Sequence, residues 1–95
     1  MGRRDRLDET AIDTRLRDIH WERKGDDLVK TVELPTFPAA IAWVGEVAGV
    51  AESMDHHPDI DIRWRTVTLR VSTHSAGGLT EMDFELARKI DALKA

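Results

Sequence analysis

Apolar residues recur at helical spacing in the first half of the chain. Residues 8–18 form one stripe, with acidic residues first and arginines later, as the helix dipole prefers. A second helix is predicted after Thr36, a candidate N-cap, with Pro38 in its first turn. We expect this helix to end near Met54, because Pro58 cannot continue it.

The composition of the second helix predicts which of its residues pack against other elements. Its predicted core-facing stripe consists of Phe37, Ile41, Val44, Val47 or Ala48, and Ala51. Gly45 and Gly49 each weaken the helix by about 1 kcal/mol relative to alanine, so we expect them to pack closely against another element. Trp43 is interpreted as an exposed residue at an oligomer contact, where aromatic side chains are enriched.

Four shorter segments have the features of strands. Residues 21–24 and 28–34 flank a Gly-Asp-Asp turn and predict a first hairpin. Residues 59–63 and 65–73 predict a second hairpin, and the later segment alternates strictly between apolar and polar positions. The apolar positions of that segment are Val67, Leu69 and Val71.

A third helical stripe starts at Thr80, and Asp83 stands three residues later. This spacing is typical of a capping box, so Asp83 is assigned a structural role at the start of the helix. The apolar positions of the stripe are Leu79, Met82, Leu86, Ile90 and Leu93. The order α-β-β-α-β-β-α predicts an α+β fold, a four-stranded antiparallel sheet with helices packed on one face.

The length of the chain sets the expected organisation. Its 95 residues predict one domain over residues 1–95, with residues 1–7 as a flexible tail. A chain of this size buries only about 60–65% of its unfolded surface, so the core of one subunit is thin. We therefore expect a homo-oligomer. A hydrophobic share of 41% with periodic apolar residues indicates a folded domain rather than a disordered one.

Charge and composition exclude several classes of partner. The net charge of −4 provides no broad attraction to phosphates, so we expect no nucleic-acid partner. No apolar run approaches the roughly 20 residues of a membrane span, and no apolar core follows the basic N-terminus as in a signal peptide. We expect a cytoplasmic protein without a membrane partner. The absence of cysteine excludes disulfides, thiol nucleophiles and thiolate metal sites.

Three of the four histidines, His56, His57 and His74, lie in the second half of the chain. A histidine titrates at a pH of about 6.5, so a group of them suits general acid–base chemistry. Histidines also collect at the polar ends of helices and strands for hydrogen bonding alone. A metal site is disfavoured, because adjacent histidines diverge by about 100° on a helix and point to opposite faces of a strand.

The histidines belong to a long gapped pattern. After Glu52 come three residues and the His-His-Pro triplet, then five residues and Trp64, nine residues and His74, and eight residues and Asp83. The matching segments are AESMDHHPD at 51–59, STH at 72–74 and GLT at 78–80. This pattern resembles the signature of the pterin-4a-carbinolamine dehydratases. The resemblance extends upstream through Trp21, Gly25 and Phe37, so it covers nearly the whole chain.

The resemblance implies an enzyme that removes water from a 4a-hydroxy-tetrahydropterin and yields the quinonoid dihydropterin. The reaction recycles the pterin of aromatic amino acid hydroxylases, so such a hydroxylase is a possible pathway partner. The resemblance also implies no metal or organic cofactor, and a homodimer or homotetramer of α+β subunits. It makes His56, His57 and His74 the catalytic groups and Asp55, Ser72, Thr73 and Ser75 residues of the pterin-binding segments.

The chemistry requires one proton at the leaving oxygen and the removal of another from the ring nitrogen system. We expect His57 and His74 to share these roles while His56 orients the pterin. Glu52 is expected to support the site by hydrogen-bonding an imidazole and setting its tautomer, although a solvated residue is the plain alternative. Trp64 either stacks near the pterin or fills the sheet face.

Two departures from the family pattern cover three positions: Tyr-Asn is common where this chain has Trp64-Arg65, and an acidic residue is common at Ser75. These departures leave the preference for the pterin side chain open. The rival hypothesis is a non-catalytic dimerisation or assembly module on the same fold, because relatives with such roles exist. The intact histidine set favours the enzyme.

Overall fold

The computed structural model describes residues 2–94 and confirms the predicted α+β class and element order. The elements are α1 (Glu9–Leu16), β1 (Glu22–Lys24), β2 (Asp27–Glu33), α2 (Phe37–Met54), β3 (Asp59–Arg63), β4 (Thr66–Val71) and α3 (Glu81–Asp91). A short 3₁₀ turn, His74–Ala76, joins β4 to α3. Of the expected flexible tail at 1–7, Met1 lies outside the described residues, and the flexibility of the rest stays a prediction.

All three strand pairs of the sheet are antiparallel, and the strand order is β1-β2-β4-β3. The register places Lys30 of β2 opposite Leu69 of β4, and Leu69 opposite Ile60 of β3. The predicted alternation of β4 is confirmed, since Val67, Leu69 and Val71 are all buried. β1 and β3 form the two edges, so β3 has one backbone edge without a partner strand in the described part of the chain.

The helices cover one face of the sheet with an apolar core, as predicted. The third helix contributes Phe84, Leu86 and Ile90, all fully buried, and its hydrophobic stripe therefore faces the sheet. Its start at Thr80 has the predicted capping box. The Thr80 side chain accepts from a backbone N–H of the first turn, and the Asp83 carboxylate accepts from the Thr80 backbone N–H. Across residues 2–94, no helix has the length and apolar character needed to cross a membrane.

The buried face of α2 differs from the predicted one in the first half of the helix. Its buried residues are Ala40, Trp43, Val47 and Ala51, so the predicted burial of Val47 and Ala51 is confirmed, whereas Ala40 and Trp43 face the core in place of Phe37 and Ile41. The predicted exposure of Trp43 is wrong, because its side chain is 3% exposed, whereas Phe37 and Ile41 are 48% and 46% exposed. α2 is apolar on several faces, so its periodicity alone does not determine which face meets the core.

The prediction that the glycines of α2 pack closely against another element is also wrong for elements of the same chain. Gly45 and Gly49 are exposed, and a Cβ added at either would meet no atom within 4 Å. The two glycines therefore lie on the solvent-facing side of the helix, where they weaken it without a compensating contact inside the subunit.

Candidate active site

The end of α2 determines where the first two histidines point. Asp55 adopts the left-handed conformation, with φ 50° and ψ 44°. The backbone N–H groups of Asp55 and His56 donate back to the carbonyls of Glu52 and Ala51, both at 3.1 Å. Beyond this turn His56 is buried, with 6% exposure, whereas the side chain of His57 is 55% exposed. The two adjacent imidazoles thus lie in different environments.

A buried hydrogen bond joins His56 to Asp83. The His56 Nε2 lies 2.6 Å from Oδ1 of Asp83, whose side chain is fully buried. A buried carboxylate is stable only where hydrogen bonds replace its lost hydration. With Asp83 ionised, the proton of this bond resides on His56 Nε2, and Nδ1 is the ring nitrogen left to accept a proton.

The second oxygen of Asp83 completes a polar network inside the core. Its Oδ2 accepts hydrogen bonds from the Thr73 hydroxyl at 2.9 Å and the Thr80 backbone N–H at 2.8 Å. The hydroxyls of Thr73 and Thr80 lie 2.8 Å apart. Asp83 therefore links the end of α2, the end of β4 and the start of α3 through a single carboxylate. The capping role of Asp83 was predicted, but its bond to His56 was not.

The segment after β4 carries the third histidine. Thr73 and Gly78 form an isolated antiparallel bridge, which closes the loop around the 3₁₀ turn that begins at His74. His74 and Ser75 are exposed, Thr73 is buried and Ser72 is half-buried. Because Thr73 and His56 share the Asp83 carboxylate, the structure brings the segments carrying His56 and His74 to one corner of the protein.

Glu52 contacts an imidazole, as predicted, but the imidazole is that of His57 rather than His56. Its Oε1 lies 2.8 Å from His57 Nε2, and both side chains are largely exposed. The left-handed turn at Asp55 makes this contact five residues along the chain possible. Each of the two adjacent histidines therefore has its Nε2 bonded to a different carboxylate.

Trp64 lies away from this corner in the single chain. It occupies the turn between β3 and β4, and the five residues of β3 carry the chain about 16 Å away from Pro58. The prediction that Trp64 fills the sheet face is wrong, since its side chain is 70% exposed and Arg65 stacks on it at 4.6 Å. Its supporting role in pterin binding stays a prediction.

At this corner two imidazoles are each paired with a carboxylate, His56 with Asp83 and His57 with Glu52. Among residues 2–94, no group of three or more histidine, aspartate and glutamate side chains converges as a metal site would require. What the corner offers chemically is proton transfer, since the segments joined there carry one buried imidazole, His56, and two exposed ones, His57 and His74.

Sequence comparison places these observations in a family context. A sequence profile described as pterin 4 alpha carbinolamine dehydratase matches residues 5–93. A protein of Nocardia farcinica is 58% identical over 88 residues, covering 92% of this chain and 93% of its own. One of Roseiflexus sp. strain RS-1 is 55% identical over 89 residues, covering 93% and 96%. Both carry the name pterin-4-alpha-carbinolamine dehydratase as a provisional assignment.

Two solved structures resemble the fold. The crystal structure of a protein from Brucella melitensis, described as a transcriptional coactivator/pterin dehydratase, has a TM-score of 0.88 and 30% identity. It is matched over 93% of this chain and 97% of its own. A pterin dehydratase-like protein, described as a RuBisCO assembly factor of the alpha-carboxysome, has a TM-score of 0.62 at 20% identity, over 78% and 86% of the two chains. The second similarity concerns the fold alone.

Proposed function

The chain belongs to the pterin-4a-carbinolamine dehydratase family, and we propose that it dehydrates a 4a-hydroxy-tetrahydropterin to the quinonoid dihydropterin. The observation that carries this proposal is the histidine corner, in which His56 and His57 are each bonded to a carboxylate and His74 stands on the adjoining loop. Imidazoles that exchange protons near neutral pH suit a reaction that consists of proton transfers and one bond cleavage.

The reaction has simple proton requirements. The C4a–O bond breaks, the oxygen accepts one proton and leaves as water, and N5 loses one proton as the C4a–N5 double bond forms. No electron is exchanged with another molecule, so one acid and one base are sufficient. Each positioned proton transfer contributes about 10²–10⁴-fold to the rate.

The exposures of the three histidines support a division of labour. His57 and His74 are exposed and can reach a bound pterin, so we assign the acid and base roles to this pair. His56 is buried and bonded to Asp83, which suits a group that orients the pterin through its Nδ1. Glu52 holds the His57 ring through Nε2 and leaves its Nδ1 for proton exchange.

The pterin-binding role is divided among the residues of the two adjoining segments. Asp55 and Ser75 are exposed, so their side chains are the candidates for bonding the polar edge of the pterin. Ser72 is half-buried and contributes at the rim. The Thr73 hydroxyl already bonds Asp83 and Thr80, so Thr73 serves the site by holding Asp83 in place.

We further propose that the subunit forms a homodimer through β3, or a homotetramer built on that dimer. The exposed large apolar residues of the described chain are confined to α2, β3 and the turn after it, and they are Phe37, Ile41, Ile60, Ile62 and Trp64. An unpaired edge strand with apolar side chains is a template for another strand. An antiparallel two-fold pairing centred on Asp61 places Asp59 opposite Arg63 of the second copy, which matches opposite charges.

Within the cell, the proposed substrate is the carbinolamine left by an aromatic amino acid hydroxylase. The competing proposal is a non-catalytic dimerisation or assembly module, and the description of the Brucella melitensis protein as a transcriptional coactivator/pterin dehydratase is its support. A binding module has no physical need for paired imidazoles and carboxylates at one corner, so the histidine corner favours the enzyme.

Absorbance kinetics distinguish the two proposals. A 4a-hydroxy-tetrahydropterin is generated freshly and its decay is followed by stopped flow, with and without the protein. An acceleration proportional to protein concentration supports the dehydratase. Decay at the uncatalysed rate rejects it and favours the binding module.

A further inference from the structure

The N-terminal segment, residues 3–7, lies against the loop that carries His74. The Leu7 N–H donates to the Leu79 carbonyl at 2.8 Å. The side chain of Arg6 packs on the backbone of Gly78, where an added Cβ would lie 2.9 Å from Arg6 Nε. Gly78 is the bridge partner of Thr73, so these contacts reach the base of the His74 loop.

The same segment reaches α3 through Arg3, which forms an ion pair with Glu85. The hydrogen bond from Arg3 lowers the pKa of Glu85 from its ordinary value. Arg4 lies between these contacts in the chain, with Arg3 on one side and Arg6 on the other.

Arg4 binds the other histidine-bearing segment. Its Nη2 donates to the backbone carbonyl of Asp55 at 3.0 Å, a contact between residues 51 positions apart. Asp55 is the left-handed residue that turns the chain from α2 into His56. Aspartate adopts this conformation more readily than most L residues, and the Arg4 contact adds a hydrogen bond to the turn that it forms.

The peptide group between Asp55 and His56 is thereby held at both ends. The His56 N–H donates to the Ala51 carbonyl, and the Asp55 carbonyl accepts from Arg4. Rotation of this peptide group would displace the His56 ring from its 2.6 Å contact with Asp83. We infer that Arg4 is a positioning residue, which holds the orientation of the histidine turn through the Asp55 carbonyl.

The expected effect of Arg4 on catalysis rests on the proposed function, whereas its expected effect on the turn at Asp55 and His56 does not. Misplacement of a reacting group by about 1 Å can lower a rate by about 10²-fold. Loss of the Arg4 contact relaxes the turn without removing a reacting group, so we expect a smaller loss, of about tenfold, in kcat with little change in KM.

Amide hydrogen exchange by NMR tests the positioning role directly. The variants are Arg4→Ala, Arg4→Lys and, as a control with the same loss of charge, Arg17→Ala, which removes an exposed arginine at the C-cap of α1. We expect Arg4→Ala to accelerate exchange of the His56 amide about tenfold, Arg4→Lys to restore part of the protection, and Arg17→Ala to change nothing. Equal unfolding midpoints of the two alanine variants exclude a general loss of stability.

Unchanged exchange at His56 in Arg4→Ala overturns the inference. So does faster exchange with an unchanged kcat, because Arg4 would then stabilise the turn without positioning the histidines for the reaction. If the unsubstituted protein does not accelerate pterin dehydration, the proposed function fails, and the exchange data alone decide whether Arg4 orients the turn.

Discussion

His56 and Asp83 form a buried imidazole–carboxylate pair, with Nε2 and Oδ1 2.6 Å apart. The two residues lie 27 positions apart in the chain and belong to different elements, the turn after α2 and the first turn of α3. Their contact connects the N-cap of a helix to the candidate catalytic corner, so one carboxylate serves both stability and the site.

Replacement of Asp83 by alanine is expected to lower the free energy of unfolding by about 3–5 kcal/mol, because buried partners lose their acceptor. The imidazole of His56, the hydroxyl of Thr73 and the amide of Thr80 would all lose a hydrogen bond. Urea unfolding measures the change. Asp18→Ala, at an exposed position after α1, is the control and should change stability little. Comparable losses in the two variants would show that the network contributes little.

Replacement of Thr73 by valine retains the shape of the side chain and removes its hydroxyl. We expect a loss of about 1–3 kcal/mol in unfolding free energy, since Asp83 loses one of its hydrogen bonds inside the core. The matched control is Thr68→Val, whose hydroxyl contacts Thr31 at 3.2 Å on the open face of the sheet. Thermal or urea unfolding that ranks Thr68→Val as the more harmful change would contradict the network.

The Glu52→Gln variant tests whether the carboxylate beside His57 matters for the reaction. The pair is exposed, so its contribution to stability is only about 0–1 kcal/mol. We expect kcat for pterin dehydration to fall by about three- to tenfold with an unchanged unfolding midpoint, because His57 loses the partner that orients its ring. Glu46→Gln removes another exposed carboxylate from α2 and serves as the control. Equal rates in the two variants would assign Glu52 to the solvated surface.

The Ile62→Lys variant tests the proposed pairing through β3. A charge placed on this apolar edge opposes burial against a second copy, so analytical ultracentrifugation should show a shift toward monomer. Thr31→Lys places the same charge on the open face of the sheet and should leave the oligomer intact. A monomeric unsubstituted protein would exclude the interface. An unchanged oligomer mass for Ile62→Lys would place the interface elsewhere.

Local signals account for the part of the fold that was predicted from the sequence. Thr36 before α2, the capping box of Thr80 and Asp83, and the alternation within β4 each act over a few residues, and each is present in the structure. The face that the first half of α2 buries was predicted wrongly, because a helix that is apolar on several sides can bury either Trp43 or Ile41, and only tertiary packing decides between them.

In the candidate site, too, local contacts were predicted from the sequence and long-range contacts were not. The histidines and Glu52 were found from their spacing, and the contact of Glu52 with an imidazole follows from proximity in the chain. The bonds of Asp83 to His56 and of Arg4 to Asp55 join residues 27 and 51 positions apart, and no local pattern indicates them. The capping box already accounted for Asp83, so nothing in the sequence indicated its hydrogen bond to His56.

The most direct test of the dehydratase is stopped-flow absorbance decay of a freshly generated 4a-hydroxy-tetrahydropterin with His57→Ala, His74→Ala and the control His20→Ala, an exposed histidine outside the cluster. The proposed acid–base pair predicts that His20→Ala accelerates the decay as the unsubstituted protein does, whereas each of the other two variants loses about 10²–10⁴-fold. Full acceleration by both His57→Ala and His74→Ala would contradict the proposed catalytic site.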